Sequence, residues 1–321
     1  ATVTKNIKLA APKVQEEERE NMTPMKRRKL QPVITAGTPA AVPIHEQSDA
    51  QEFESNGLNK CHTPDQRSSS SQLMLWQLLD SALPVGGFAH SSGLESAMQH
   101  GFVNSDETLW KFIECSLDNF SNMNVPLIRM AHQNGTVDSL VEVDSLLTAT
   151  MTNAITKRAS MALGSALLRI SLNTFLEFQG ELQRVQKLLR QQSSGFKCHH
   201  APFLGFLCMN IGLDISTTIR FALHTFVRDI LSAATRLSLI GPMQSARTLH
   251  LFAEKIEKAV KLATSFSSSG QGGAKNASAE EAERGQQAAL VPLQEQIVQT
   301  DPFLDLLQGS HDKLYSRMFN S

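Results

Sequence analysis

The chain has 321 residues, 41% of them hydrophobic, and its 30 Lys and Arg against 31 Asp and Glu leave a formal net charge of -1. Charge so evenly balanced gives no general attraction to nucleic acid or to an acidic membrane surface. The four cysteines show no CxxC pairing, which speaks against a disulfide framework, and no apolar run reaches the roughly 18 residues that a membrane span requires.

Residues 1–71 mix KVQEEERE, KRRK, scattered prolines and a serine run with few large apolar side chains, so this arm is expected to stay disordered. Lys26, Arg27, Arg28 and Lys29 form its basic cluster, which reads as solvated charge or as a nuclear signal. A charged start followed by an apolar leader is missing, and the expectation is a cytoplasmic protein.

From Leu73 the apolar spacing is helical. A helix through LMLWQLLDSA should stop before Pro84, which fixes its own φ and pushes Leu83 toward an extended conformation. In the LPVGGFAHSSGLE stretch that follows, Gly86 and Gly87 permit a sharp turn, and Ser92 with Glu95 has the spacing of a capping box for a helix ending at Gly101. Phe88 and His90 inside that turn leave two readings open, a connector or a site. Next, Leu109, Phe112, Ile113, Ser116, Leu117 and Phe120 fall on one helical stripe. Residues 143–178 read as the longest helix, with a seam of small residues that includes Ala159, Ala162 and Gly164 and invites a close helix neighbour.

After a break at 193–195, Pro202 suits the first turn of a helix and Gly212 its end. Ser216 or Thr217 is expected to cap a helix reaching Leu239, and another covers about 244–264. Residues 267–288 have linker composition, and 290–321 turn apolar again as a docking tail that either closes the core or binds a partner. The fold class is therefore all-α: a single helical bundle domain of about eight to ten helices over 72–321, behind the arm.

Chemistry is sparse. Walker A, HExxH and GxSxG patterns are absent. Cys198, His199 and His200 with Cys208 are candidate metal ligands, but adjacent histidines point apart, and a buried free thiol beside a structural histidine is the better reading. His90 and His311 stand in polar, non-helical contexts, and Tyr315, Arg317 and Phe319 give the tail the composition of a contact surface.

Four motifs in order, LPVGGFAHSSGLE, HHAPFLGFL, AATRLSLIGPMQ and LYSRMFNS, resemble the urease accessory protein F family, with GFAHS similar to its eukaryotic members. The resemblance runs from about Leu73 to Ser321. It implies an all-helical homodimer without catalysis or a cofactor of its own. Its partners would be a nickel-carrying GTPase, another accessory protein of the D or H type, and apo-urease. Nickel insertion would be driven by GTP that the partners handle. By motif, the resemblance assigns Pro84, Gly86, Gly87, Phe88, His90 and Glu95 to a partner-facing surface or a nickel path, has His200 and Arg236 support that region, and places Tyr315, Ser316 and Arg317 in a tail that docks near the partner contact. A metal carrier using Cys198 or His199, or a helical module for an unrelated partner, is the alternative. On the preferred reading, removing Tyr315 to Ser321 should leave a folded protein that no longer assembles.

Overall fold

The computed structural model describes residues 64–83, 85, 87–265 and 293–321. Pro84, Gly86, the tract 267–288 and the Lys26 to Lys29 cluster lie outside the described residues, as does the arm before Pro64. In chain order the helices are α1 (Pro64–Leu79), α2 (Leu94–Gln99), α3 (Asp106–Met123), α4 (Val125–Asn134), α5 (Val137–Thr150), α6 (Ala154–Thr174), α7 (Gln179–Arg190), α8 (His200–Asn210), α9 (Ile215–Arg236), α10 (Pro242–Ser265) and α11 (Pro302–Ser310). The described residues contain no strand. Ten of these helices run nine residues or longer and α2 has six, in line with the all-α expectation.

Helix ends follow local hydrogen-bond chemistry, and several differ from the sequence reading, among them α9, which stops at Arg236 short of Leu239. Helix α1 begins at Pro64, inside the stretch read as arm. The long helix expected over 143–178 is two helices, because Asn153 turns its side chain onto the amides of Ile155 (3.0 Å) and Thr156 (3.4 Å) and starts α6 afresh. Helix α9 is capped by Asp214, whose carboxylate accepts from the Thr217 amide at 2.9 Å, so Ser216 and Thr217 lie within its first turn. The expected stops at Gly101 and Gly212 both hold, with φ of 79° and 82°.

Helix α8 is the centre of one core cluster. Ala201 to Cys208 are all buried, an apolar surface on every side that only a fully surrounded helix can carry. It packs most extensively on α4, where Gly205 lets the two backbones meet: a Cβ there would lie 2.3 Å from the Ile128 carbonyl oxygen. Helices α6 and α7 cover the same cluster through Leu168 and Val185. A second cluster joins α3, α9 and α10 through Ile113, Val227 and Phe252, and the tail enters it with Leu304, Leu307 and Phe319.

Candidate functional site

The turn after α1 is fastened to α9. Gly87 opens a 3-10 turn, Gly87–Ala89, and sits so close to α9 that a Cβ would lie 2.2 Å from an Asp229 carboxylate oxygen. Arg228 holds that carboxylate through Nε and Nη2 at 3.0 and 2.9 Å. Its Nη1 donates to the Leu79 carbonyl at 2.8 Å, and its guanidinium lies 5.4 Å from the centre of the Phe88 ring. Burial pushes the Asp229 carboxyl above its ordinary range, against the opposing pull of Arg228.

Beyond Phe88 the chain takes two successive left-handed residues, Ser92 (φ 53°) and Gly93 (φ 89°). The expected Ser92–Glu95 capping box does not form. Gly93 is the N-cap of α2 and makes no side-chain cap bond, while the Glu95 amide bonds the Ser91 hydroxyl at 3.4 Å. Glu95 instead turns inward, 2% exposed, where its carboxylate accepts from the amides of Met318 (2.6 Å) and Phe319 (3.2 Å) and meets His311 Nε2 at 3.1 Å. Tail donors that are themselves leaving water outcompete the solvent-facing helix end for this acceptor.

The tail completes the arrangement. The Asn320 amide donates to the Ala89 carbonyl at 2.8 Å, and the Ser91 amide to the Ser321 carbonyl at 2.6 Å. His90 Nδ1 lies 2.6 Å from the Ser321 hydroxyl. Arg236, at the end of α9, stacks over the Phe319 ring at 4.3 Å and donates to the Phe88 carbonyl. Outward from these anchors Tyr315 is fully exposed and Met318 is 59% exposed. Ser316 accepts from Gln99 through its carbonyl at 2.8 Å, and Arg317 bonds Asp312 at 3.1 Å, beside Arg158.

Beneath the turn lies a cavity of about 170 Å³ whose wall includes His90, Ser116, His200, Thr225, Asp229 and Ser321. A second of about 60 Å³ adjoins it and shares Gly87, Leu163, His200, Thr225 and Asp229. His200 therefore stands where the two meet, where burial and then the charge of His90 hold it below its ordinary value. Burial, then His311 and Arg158, holds His90 below its ordinary value.

Gly87, Phe88, His90, Glu95, His200, Arg236, Tyr315, Ser316 and Arg317 thus converge from four distant stretches, although Glu95 is an internal anchor and not an exposed contact. The sequence reading did not single out Arg228, Asp229 or Ser91. Adjacent opposite charges within the largely apolar run TFVRDIL were the available signal. Tail removal also changes meaning, because cutting at Tyr315 would strip Glu95 of two amide donors. The folded truncation expected from composition is therefore not a clean test of assembly.

Cys198 and His199 are buried and engaged within the core. Cys198 has φ 58°, and the Asp144 carboxylate ties this turn to α5 by accepting from the Lys197 and His199 amides at 2.7 and 2.6 Å. The His199 ring sits between the Thr148 and Ser160 hydroxyls, each at 3.1 Å. Burial raises both buried thiols, Cys208 to about 12, which keeps them protonated and poor metal ligands. Among the described residues no group of three His, Cys, Asp or Glu is placed to hold a metal.

These buried imidazoles carry a pH prediction. Burial lowers His199 and His200 from 6.5 to about 4, with Lys157 and Lys197 adding to the effect on His199 and His90 to that on His200. Between those values the unfolded chain binds more protons than the folded one. Stability should therefore fall as pH drops from 6.5 toward 4, by up to about 1.4 kcal/mol per pH unit for each histidine. Urea unfolding at about pH 7, 6 and 5 measures this. A midpoint that does not fall below pH 6.5 contradicts the assignment.

Comparison with known proteins decides the family. The family model UreF matches residues 103–253. Urease accessory protein F of Oryza sativa subsp. indica is 38% identical over 259 residues, covering 80% of this chain and 88% of the rice protein. The chain belongs to the urease accessory protein F family. Urease accessory protein F of Arabidopsis thaliana is likewise 38% identical, over 257 residues, 79% of this chain and 94% of its own length. Urease accessory protein UreF of Trichodesmium erythraeum (strain IMS101) is 28% identical over 259 residues, 78% of this chain and 97% of its length. The UreF match spans α3 to α9 and enters α10. The two plant matches are long enough to take in the turn or the tail as well as this core.

Proposed function

We propose that this protein is a non-catalytic scaffold and chaperone of urease maturation. Membership of the urease accessory protein F family supports a role in that process, alongside urease and other accessory proteins. In this reading the chain bridges a nickel-carrying GTPase and a D- or H-type accessory protein to apo-urease, and thereby promotes GTP-dependent insertion of nickel, the cargo, into the enzyme. It works as a cytoplasmic homodimer, needs no cofactor of its own and leaves nickel and GTP to its partners.

The observation that carries this reading is the convergence of four dispersed motifs on one locus, whose anchors are buried and whose outer groups are not. Glu95, His311 and Phe319 hold the tail from within, while Tyr315 and Met318 project an aromatic ring and a thioether into solvent. Solvated apolar groups on a fixed backbone suit recognition by a protein, since they are ordered before contact and bury area upon it.

Co-expression of urease with its accessory proteins tests the proposal. Tyr315→Ala combined with Met318→Ala should leave unfolding unchanged within about 0.5 kcal/mol, as befits exposed side chains. Urease nickel content and activity should fall about 10-fold or more, the loss expected when contact side chains of a partner surface are truncated. Full activation without this chain would refute the function altogether.

A further inference from the structure

Phe88 and Phe319 lie 231 positions apart in sequence and are brought together at the end of α9. Both are touched by Arg236, in different ways. The guanidinium face lies over the Phe319 ring at 4.3 Å, and Nη2, at the guanidinium edge, donates to the Phe88 carbonyl in the 3-10 turn. Two backbone bonds run beside it, from the Asn320 amide to the Ala89 carbonyl and from the Ser91 amide to the Ser321 carbonyl. Turn and tail are therefore joined by main-chain bonds and tied at their flank by one side chain whose own backbone belongs to neither.

We propose that Arg236 is a positioning residue that couples the 87–91 turn to the 318–321 segment, so that a partner protein meets them as one surface and not as two independent loops. The coupling rests on the partner-surface reading above for its use, though not for its existence. A planar guanidinium presents a face for stacking and edges for donation at the same moment. A lysine ammonium is a compact point charge: it can sit over the ring or bond the carbonyl, and has no plane with which to hold both. Arg236→Lys preserves charge and removes the coupling, and so separates this role from simple electrostatics.

The test uses the full chain in native buffer. Trypsin cleavage after Arg317, followed by mass spectrometry, reports release of the tail, because the Met318 amide next to that bond is otherwise held by Glu95. Arg236→Lys, Arg236→Gln and Phe319→Leu should each speed cleavage about five-fold, and Arg236→Lys with Phe319→Leu should be no faster than either alone. Circular dichroism of each variant confirms that the helices persist. Arg236→Lys should also weaken co-elution with the D-type accessory protein. Tyr315→Ala should weaken co-elution while leaving cleavage as it was. Unchanged cleavage in both Arg236 variants overturns the coupling, whatever happens to assembly. Faster cleavage in Arg236→Lys, with assembly undiminished in both Arg236→Lys and Tyr315→Ala, overturns the partner-surface reading and leaves the coupling standing.

Discussion

Glu95→Ala is expected to destabilise the protein by about 3 to 5 kcal/mol and to free the tail beyond Lys313. The carboxylate is 2% exposed and serves three donors at once: the Met318 and Phe319 amides and His311 Nε2. Truncation leaves those donors buried without an acceptor, and each loses the full benefit of its former bond with no water to replace it. His311 Nδ1 is buried without a hydrogen bond, so Glu95 is the ring's hydrogen-bond partner and its loss leaves the imidazole with none. Glu95→Gln is the informative companion. Its amide keeps one acceptor oxygen and places a donor NH₂ where a second acceptor stood, so at least one tail donor faces a donor. Its effect should fall between wild type and alanine. Urea unfolding gives the loss in free energy, and hydrogen exchange at the Met318 and Phe319 amides gives the release. Slow exchange at both amides in Glu95→Ala would show that the tail is held by other means.

The same residue shows how far sequence carried. Helical periodicity located α3 and α10 to within a few residues, because each buries one stripe and periodicity reports burial directly, whereas α8, buried on every side, was marked by Pro202 and Gly212. Glycine and proline likewise marked the ends at Gly101 and Gly212. Competition between acceptors was not legible. Ser92 and Glu95 have capping-box spacing, yet Glu95 takes donors 223 and 224 residues away, and no local pattern records where the tail returns. Asn153 gave a clearer signal than was used, since a capping side chain within a long apolar pattern can begin a second helix. The site followed the same division. Motif resemblance drew together residues from the turn, α8, α9 and the tail. Arg228 and Asp229, which pin the turn to α9, belong to no such motif and emerged only from distances.

Gly164→Ala should be as damaging as loss of the Glu95 carboxylate, about 3 kcal/mol or more, although alanine is the better helix former. Within α6 the exchange alone would favour the helix by about 1 kcal/mol. Packing reverses the sign: a Cβ at this position would lie 1.9 Å from the Cys198 carbonyl oxygen and 2.9 Å from the carbonyl carbons of Cys198 and His199. Those atoms are backbone and cannot swing aside. Their turn is fixed by Asp144 through two amide bonds, and Cys198 already occupies a left-handed conformation. Relief must come from moving α6 away from the start of α8, which opens space around buried Leu168 and shifts His200 from the junction of the two cavities. Gly180 in α7 is the internal control, with no atom within 4 Å of a Cβ built there. Gly180→Ala should be neutral or stabilising by up to about 1 kcal/mol, since helix propensity acts there unopposed. Thermal unfolding of the pair checks the argument: similar shifts for both variants would mean that propensity governs both sites, whereas a large loss for Gly164→Ala alone establishes the backbone contact as the constraint that keeps glycine in α6.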